Sequence, residues 1–254
     1  MQLKDKLVLI TGSNRGIGLG FAREAHARGA RLLLAMRSPE ELKLDWDDDR
    51  VDRIALDMSS KESINKFLED PRLNDVDILI NNAGQLTGGL LEDQELDQIY
   101  SMFQVNLVGL VHLTRGMMAK LISRPQAMIV NNASVSGVMH LPCTSTYTAA
   151  KTGVVAFTSS IRQDLKGTNV KVLTLITPGV KTRMFDEIAP KYSAHMDVSS
   201  LATITTEQYA GRVMDAINKN KKMLYPSGIE GIGCFISRHF PMLFEKLASS
   251  QFKR

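Results

Sequence analysis

The run Lys6-Leu7-Val8-Leu9-Ile10, followed at once by Thr11-Gly12-Ser13-Asn14-Arg15-Gly16-Ile17-Gly18 and a helical stretch to Arg28, constrains this chain more than any other feature. The apolar run reads as a buried strand, and the glycines break it just before a helix begins. A strand, a glycine-rich turn and a helix in that order form a cradle for an anion, because the first amides of the helix have no partner within it. Gly12 is expected to permit the tight turn, Gly16 to let backbone approach a pyrophosphate, and Gly18 to let the helix pack close to the sheet. The spacing is Gly-x-x-x-Gly-x-Gly rather than the Gly-x-Gly-x-x-Gly of the commonest dinucleotide fingerprint.

The rest of the chain continues the same rhythm. Strands are expected near 5–11, 31–36, 52–57, 76–81, 126–133, 170–177 and 222–226, with helices near 16–28, 60–69, 93–123, 146–167, 206–219 and 233–249. Right-handed crossovers then give an α/β fold, a doubly wound parallel sheet of Rossmann type with helices on both faces and a ligand crevice beyond the carboxyl ends of the strands. With 254 residues, 44% of them hydrophobic, the chain suits one domain of this kind. Cys143 and Cys234 are too few for a disulfide framework and point to a reducing compartment, both being read as packing residues. No apolar stretch precedes the first strand and no run nears the roughly 20 apolar residues that span a bilayer, so a cytoplasmic protein is expected.

Tyr147 stands four residues before Lys151 in Ser-Thr-Tyr-Thr-Ala-Ala-Lys, which on a helix puts a phenol and an ammonium on one face. An ammonium favours a phenolate, so the pair is expected to acidify Tyr147 enough to exchange a proton with a substrate oxygen near neutral pH.

Four motifs together resemble the short-chain dehydrogenase/reductase family over most of the chain. They are Thr-Gly-x-x-x-Gly-x-Gly at Thr11 to Gly18, Asn-Asn-Ala-Gly at Asn81 to Gly84, Ser134 with Tyr147 and Lys151, and Pro178-Gly179. Ser134 precedes Tyr147 by 13 positions, the usual gap in that family, and Asn106 lies in Gln-Val-Asn-Leu where the family keeps a fourth catalytic residue. The resemblance implies an oxidoreductase that interconverts a carbonyl and an alcohol. Tyr147 would give the proton, Ser134 would hold the substrate oxygen, and Lys151 would lower the Tyr147 pKa and bind the nicotinamide ribose. Asn106 would anchor a water that relays protons to Lys151. It further implies a dinucleotide held by Gly12, Ser13, Asn14, Arg15, Gly16, Ile17 and Gly18, by Asn82, Ala83 and Gly84, by Tyr147 and Lys151, and by Pro178, Gly179 and Thr182. No metal is expected. The other reading is a dinucleotide-binding sensor or scaffold that performs no chemistry.

The choice of nicotinamide turns on charge at the end of the second strand. Met36 stands where the NAD-preferring members place Asp, and Arg15 and Arg37 occupy positions where NADP-preferring members carry basic residues that can fork onto a 2′-phosphate, so NADP(H) is expected. Asp57 resembles the residue that bonds the adenine amino group, and equally suits a helix cap near Ser59.

Residues 183–201 suit a substrate lid, or an ordered surface helix. The stretch from Gly137 to Cys143 is expected to form the opposite wall, and Met139, Leu141, Met184 and Phe185 to edge a pocket for a hydrophobic ketone or aldehyde. His140 and His195 are read as lining or surface groups. The apolar segment at about 229–254 has three possible places: over the substrate pocket, at a subunit interface, or at a membrane surface. A homodimer or homotetramer through the long helices is implied by the resemblance. The net charge of +4 comes with no basic stripe interleaved with exposed aromatics, so nucleic acid is not an expected partner.

Overall fold

The computed structural model of the chain describes residues 1–46, 48–195, 204–250 and 252–254, without the side chains of Ile188 and Ala189. Leu7–Thr11 (β1) is buried along its whole length, and five of the six residues of Arg31–Met36 (β2) are buried as well, as their uninterrupted apolar sequences require of strands covered on both faces. Between them runs Gly16–Ala27 (α1). Val51–Ala55 (β3) and Lys61–Leu68 (α2) follow, with Ser60 capping α2 by accepting a bond from the Ser63 amide. Ile78–Asn81 (β4) leads to Leu96–Phe103 (α3) and Gly109–Ser123 (α4). Next come Ala127–Asn132 (β5), Ser145–Asp164 (α5), Val170–Leu175 (β6), Arg183–Ser193 (α6), Thr206–Asn218 (α7) and Met223–Leu224 (β7). Ile229–His239 (α8) and Pro241–Ser250 (α9) complete the order.

The strands form one parallel sheet in the order β3-β2-β1-β4-β5-β6-β7. Because side chains alternate along a strand, Val8 and Ile10 point to one face and Leu7 and Leu9 to the other. The first face packs on α1 and α7 through Phe21, Ala25, Val213 and Met214. The second packs on α2, α4 and α5 through Ile64, Leu113, Met117 and Ile161. The order reverses between β1 and β4, and a crevice opens there beyond their carboxyl ends, as expected of this topology.

Two departures from the expected elements have local causes. The long helix expected at 93–123 contains one wide π turn at Gln104–Val108, which separates α3 from α4 and buries Asn106. The helix expected at 233–249 begins earlier and is broken at Phe240. Pro241 has no amide hydrogen to continue α8, and Phe240 is pushed to φ −137°, ψ 61°.

Candidate functional site

The glycine-rich turn is held open by contacts that exclude side chains. A Cβ on Gly18 would lie 2.1 Å from the Gly12 carbonyl oxygen and 2.5 Å from Asn82 Nδ2. Gly12, at φ 64°, would meet Ala83 Cα at 2.8 Å. Asn82 braces the turn from β4, its Nδ2 donating to the carbonyls of Thr11 and Gly12 at 3.0 and 3.2 Å. The Asn82 and Ala83 amides both donate to Thr11 Oγ1 at 3.0 Å.

Ser134 and Asn132 come from the end of β5 and the turn after it. Lys151 and Tyr147 come from one face of α5. Lys151 is 4% exposed and its Nζ donates to the Asn132 carbonyl at 2.8 Å, 5.7 Å from the centre of the Tyr147 ring. The Ser134 hydroxyl is within hydrogen-bond reach of the half-buried Tyr147 phenol. Burial nevertheless prevails and pushes that phenol up to about 12, while burial pulls the Lys151 ammonium down to about 8. The expected acidification of Tyr147 is therefore reversed in the protein alone. Lys151 directs its charge at a backbone carbonyl, and desolvation of the phenol outweighs the bond from Ser134.

Asn106 is held from both ends of its side chain. Its Oδ1 accepts from the Gln85 amide and its Nδ2 donates to the Gln85 carbonyl, both at 2.8 Å. Both ends of its side chain thus clamp the segment after Asn82-Ala83-Gly84. A further buried chain crosses the floor of the crevice. Asn132 Nδ2 donates to Asn82 Oδ1 at 2.9 Å, Thr177 Oγ1 donates to Asn132 Oδ1, and the Thr177 and Tyr209 hydroxyls are 2.6 Å apart.

Asn82, Asn132, Ser134, Tyr147, Lys151 and Thr177 line one cavity of about 520 Å³, while Asn106 and Tyr209 are not part of its lining. Gly12, Asn14, Arg15, Gly16, Ile17 and Gly18 face it on one side, and Ser134, Tyr147, Lys151 and Leu141 on the other. Arg37 and Asp57 stand at one end, and Asn82, Ala83, Gly84, Pro178, Gly179 and Thr182 complete the wall. Ser13 alone of the turn is absent from the lining: it is buried, and its Oγ donates to the Ala35 carbonyl at 3.4 Å. Thr182 caps α6 by accepting from the Phe185 amide. Asp57 accepts from the amide and hydroxyl of Ser59, at 2.8 and 2.6 Å, in a local turn. Burial raises its carboxyl, but Ser59 and the nearby Arg37 guanidinium outweigh this and hold it below the usual range.

The expected pocket edge is correct for Leu141, Met184 and Phe185. Met139 instead turns into the core, where its Sδ would lie 2.6 Å from a Cβ on Gly233. The residues 183–195 are helix α6 and its C-terminal turn, while 196–201 of the expected lid lie outside the described residues. Tyr192 of α6 reaches the cavity and packs on Gly88, where any Cβ would be 2.3 Å from its ring. His140 is exposed, and His195 Nδ1 is 3.0 Å from the Lys253 carbonyl oxygen.

Glu230 was not foreseen. It lies in the first turn of α8, lines the cavity, and accepts from the Gly179 amide at 2.9 Å. Burial raises its carboxyl despite that bond. An acid opening an apolar helix is an ordinary sequence signal for favourable dipole placement, and nothing in it reveals that the side chain faces inward.

Two glycines, Gly12 and Gly18, that a Cβ would close, unpaired helix amides behind them and a crevice at the sheet's reversal fit a dinucleotide, and the site defines a dinucleotide-dependent oxidoreductase. The short chain dehydrogenase family matches residues 6–193, and the chain belongs to that family. An uncharacterised oxidoreductase of Staphylococcus aureus is 30% identical over 183 residues, 70% of this chain and 79% of its own. A 3-oxoacyl-(acyl-carrier-protein) reductase of Haemophilus influenzae is also 30% identical, over 76% of this chain and 81% of its own. A short chain dehydrogenase from Burkholderia cenocepacia, solved in complex with NADP, superposes with a TM-score of 0.85 at 21% identity, covering 98% of this chain and 99% of that one.

Proposed function

We propose that this protein is an NADP(H)-dependent reductase of apolar ketones or aldehydes, working also in reverse on the alcohols. The observation that carries the reading is the convergence of Tyr147, Ser134 and Lys151 on the cavity whose other wall is the glycine cradle. When bound, the dinucleotide supplies or accepts hydride. The chain's own residues do the rest. Ser134 Oγ holds the substrate oxygen, and Tyr147 Oη gives that oxygen a proton. A phenol pushed up to about 12 stays loaded for donation, and an ammonium near 8 is matched to returning the proton at physiological pH. Asn106 acts by clamping Gln85, which fixes the Asn82-Ala83-Gly84 wall. Leu141, Met184, Phe185 and Tyr192 exclude water and favour an apolar substrate.

Arg15 and Arg37 are exposed at the rim and have no ion-pair partner among the described residues, which suits them to a 2′-phosphate. Met36 leaves no carboxylate in the second strand to repel one. The NADP held by the Burkholderia neighbour agrees with this, but the rim charge carries the argument. Exposed Leu96 and Tyr100 on α3 suit the homodimer or homotetramer implied by the family, and two free, buried cysteines suit the cytoplasm.

The test is turnover with NADPH and with NADH across a panel of apolar ketones and aldehydes, for wild type and Tyr147→Phe. NADPH oxidation that depends on the carbonyl and vanishes in the variant supports the reading. Tight dinucleotide binding with no turnover on any carbonyl or alcohol would favour the sensor or scaffold instead.

A further inference from the structure

The last two helices have two dissimilar faces. Inward, Cys234 is buried, Ser237 Oγ donates to the Val138 carbonyl at 2.8 Å, and Phe244 packs beside Gly233 against the core. One face of this segment thus packs on the core, and its Glu230 lines the cavity. Outward, the pattern is the opposite. Of thirteen exposed large hydrophobics among the described residues, seven lie between Ile229 and Leu247. Ile229, Ile232 and Phe235 recur every third residue of α8 and are 87%, 61% and 58% exposed. Met242, Leu243 and Leu247 continue the surface on α9 at 84%, 50% and 52%.

Basic groups are set into this surface rather than around a distant rim. On α9 the inward residues are Phe244 and Ala248, so Lys246 points outward between Met242 and Leu243. On α8 the stripe through Ile232 and Phe235 ends at Arg238 and His239, both exposed. Glu230 is turned inward to Gly179, which leaves Glu245 as the outward acid of the two helices. Lysine is depleted from the dry core of a protein interface, where its ammonium loses water without a partner. At a lipid headgroup layer the same lysine buries its stem among acyl chains and keeps its charge beside phosphates. Among the described residues no helix is long and apolar enough to cross a bilayer.

We propose that the outer face of α8 and α9 docks on the surface of an anionic lipid bilayer, with Ile232, Phe235, Met242 and Leu247 entering the acyl boundary and Lys246 and Arg238 meeting the headgroups. This is independent of the substrate and cofactor assigned above, because lipid binding is read without turnover.

The test is flotation of the full chain with phosphatidylcholine vesicles and with vesicles containing about a third phosphatidylglycerol, the probe composition for a surface of this charge. The expected result is flotation with the anionic vesicles, weakened about fivefold by Lys246→Ala, since each surface lysine is worth about that factor. The combined Ile232→Glu, Phe235→Glu and Met242→Glu variant, with unchanged folding by circular dichroism and unchanged NADPH affinity, is expected not to float. Failure of wild type to float with either vesicle, or equal flotation of the triple variant, overturns the proposal. So does a triple variant whose only change is a smaller assembly by light scattering, which would make the face a contact between copies.

Discussion

On the β1 side of the crevice the groups that face the cavity are backbone, set by Gly12 at φ 64° and braced by Asn82. On the β5 side they are side chains, Ser134 with Tyr147 and Lys151, and burial sets the protonation of the last two. The first wall has no atoms to lose and no room for more, whereas the second has room and depends on two protons. One wall is broken by adding a carbon and the other by removing an oxygen or a charge. That difference assigns affinity to the first and turnover to the second, and it can be broken experimentally.

The largest effect is expected for Tyr147→Phe. Loss of the proton donor lowers kcat by about 10²- to 10⁴-fold. Dinucleotide affinity, measured by titration, stays within about twofold if the division holds. Gly18→Ala should do the converse. Its Cβ falls 2.1 Å from the Gly12 oxygen, and relieving such overpacking costs about 1–3 kcal/mol, so the dissociation constant rises by about tenfold or more. A kcat at saturating NADPH that falls as steeply as affinity would erase the distinction between the walls.

Arg37→Ala sharpens the comparison at the cradle's outer end. Removing a charge-assisted bond of about 1.5–3 kcal/mol weakens NADPH by about 10- to 100-fold and leaves NADH unchanged, as calorimetry at fixed salt would record. Equal loss for both dinucleotides would make Arg37 a structural group rather than a reader of phosphate.

The smallest effect concerns stability. Folded Lys151 titrates near 8, below its unfolded value of 10.5, so between these pH values the unfolded chain binds more protons and this group raises stability as pH increases. Below pH 8 its buried ammonium is a net cost, on the order of 3 kcal/mol before its bond to Asn132 is counted. Lys151→Met should therefore be inactive and yet melt about 2–4 °C higher at pH 7, with the gain fading toward pH 10. A lower Tm at pH 7 would mean that the Asn132 bond outweighs desolvation.

The two walls also differed in how far the sequence disclosed them. The glycine turn is legible because backbone geometry leaves a compositional mark: only glycine tolerates the contacts at positions 12 and 18. The strands of the sheet are legible for a similar reason, since double burial removes polar residues from β1 and β2. Tyr147 and Lys151 were legible as a pair from their spacing, but the sign of the phenol's shift was not. It depends on where Nζ points, and a carbonyl of Asn132 captured it. Asn106 could be located but its work could not, because its partner is the backbone of Gln85, which any residue at that position would offer. Met139 and Glu230 exchanged places relative to intuition, the apolar side chain leaving the cavity and the carboxylate lining it. Both outcomes depend on how α8 crosses the segment after Ser134, a long-range contact with no local signature.

The placement of β1 beside β4 governs how this protein comes into being as well as what it binds. Asn82 and Thr11 are 71 residues apart, and the chain between them makes the outer strands β2 and β3 and their connections before it reaches β4. Closing so long a loop has an entropic cost that is met only when β1 and β4 pair, and contacts of this sequence separation slow folding. The dinucleotide crevice is therefore a late product of the folding reaction. In refolding from denaturant, helix content should return before any capacity to bind dinucleotide.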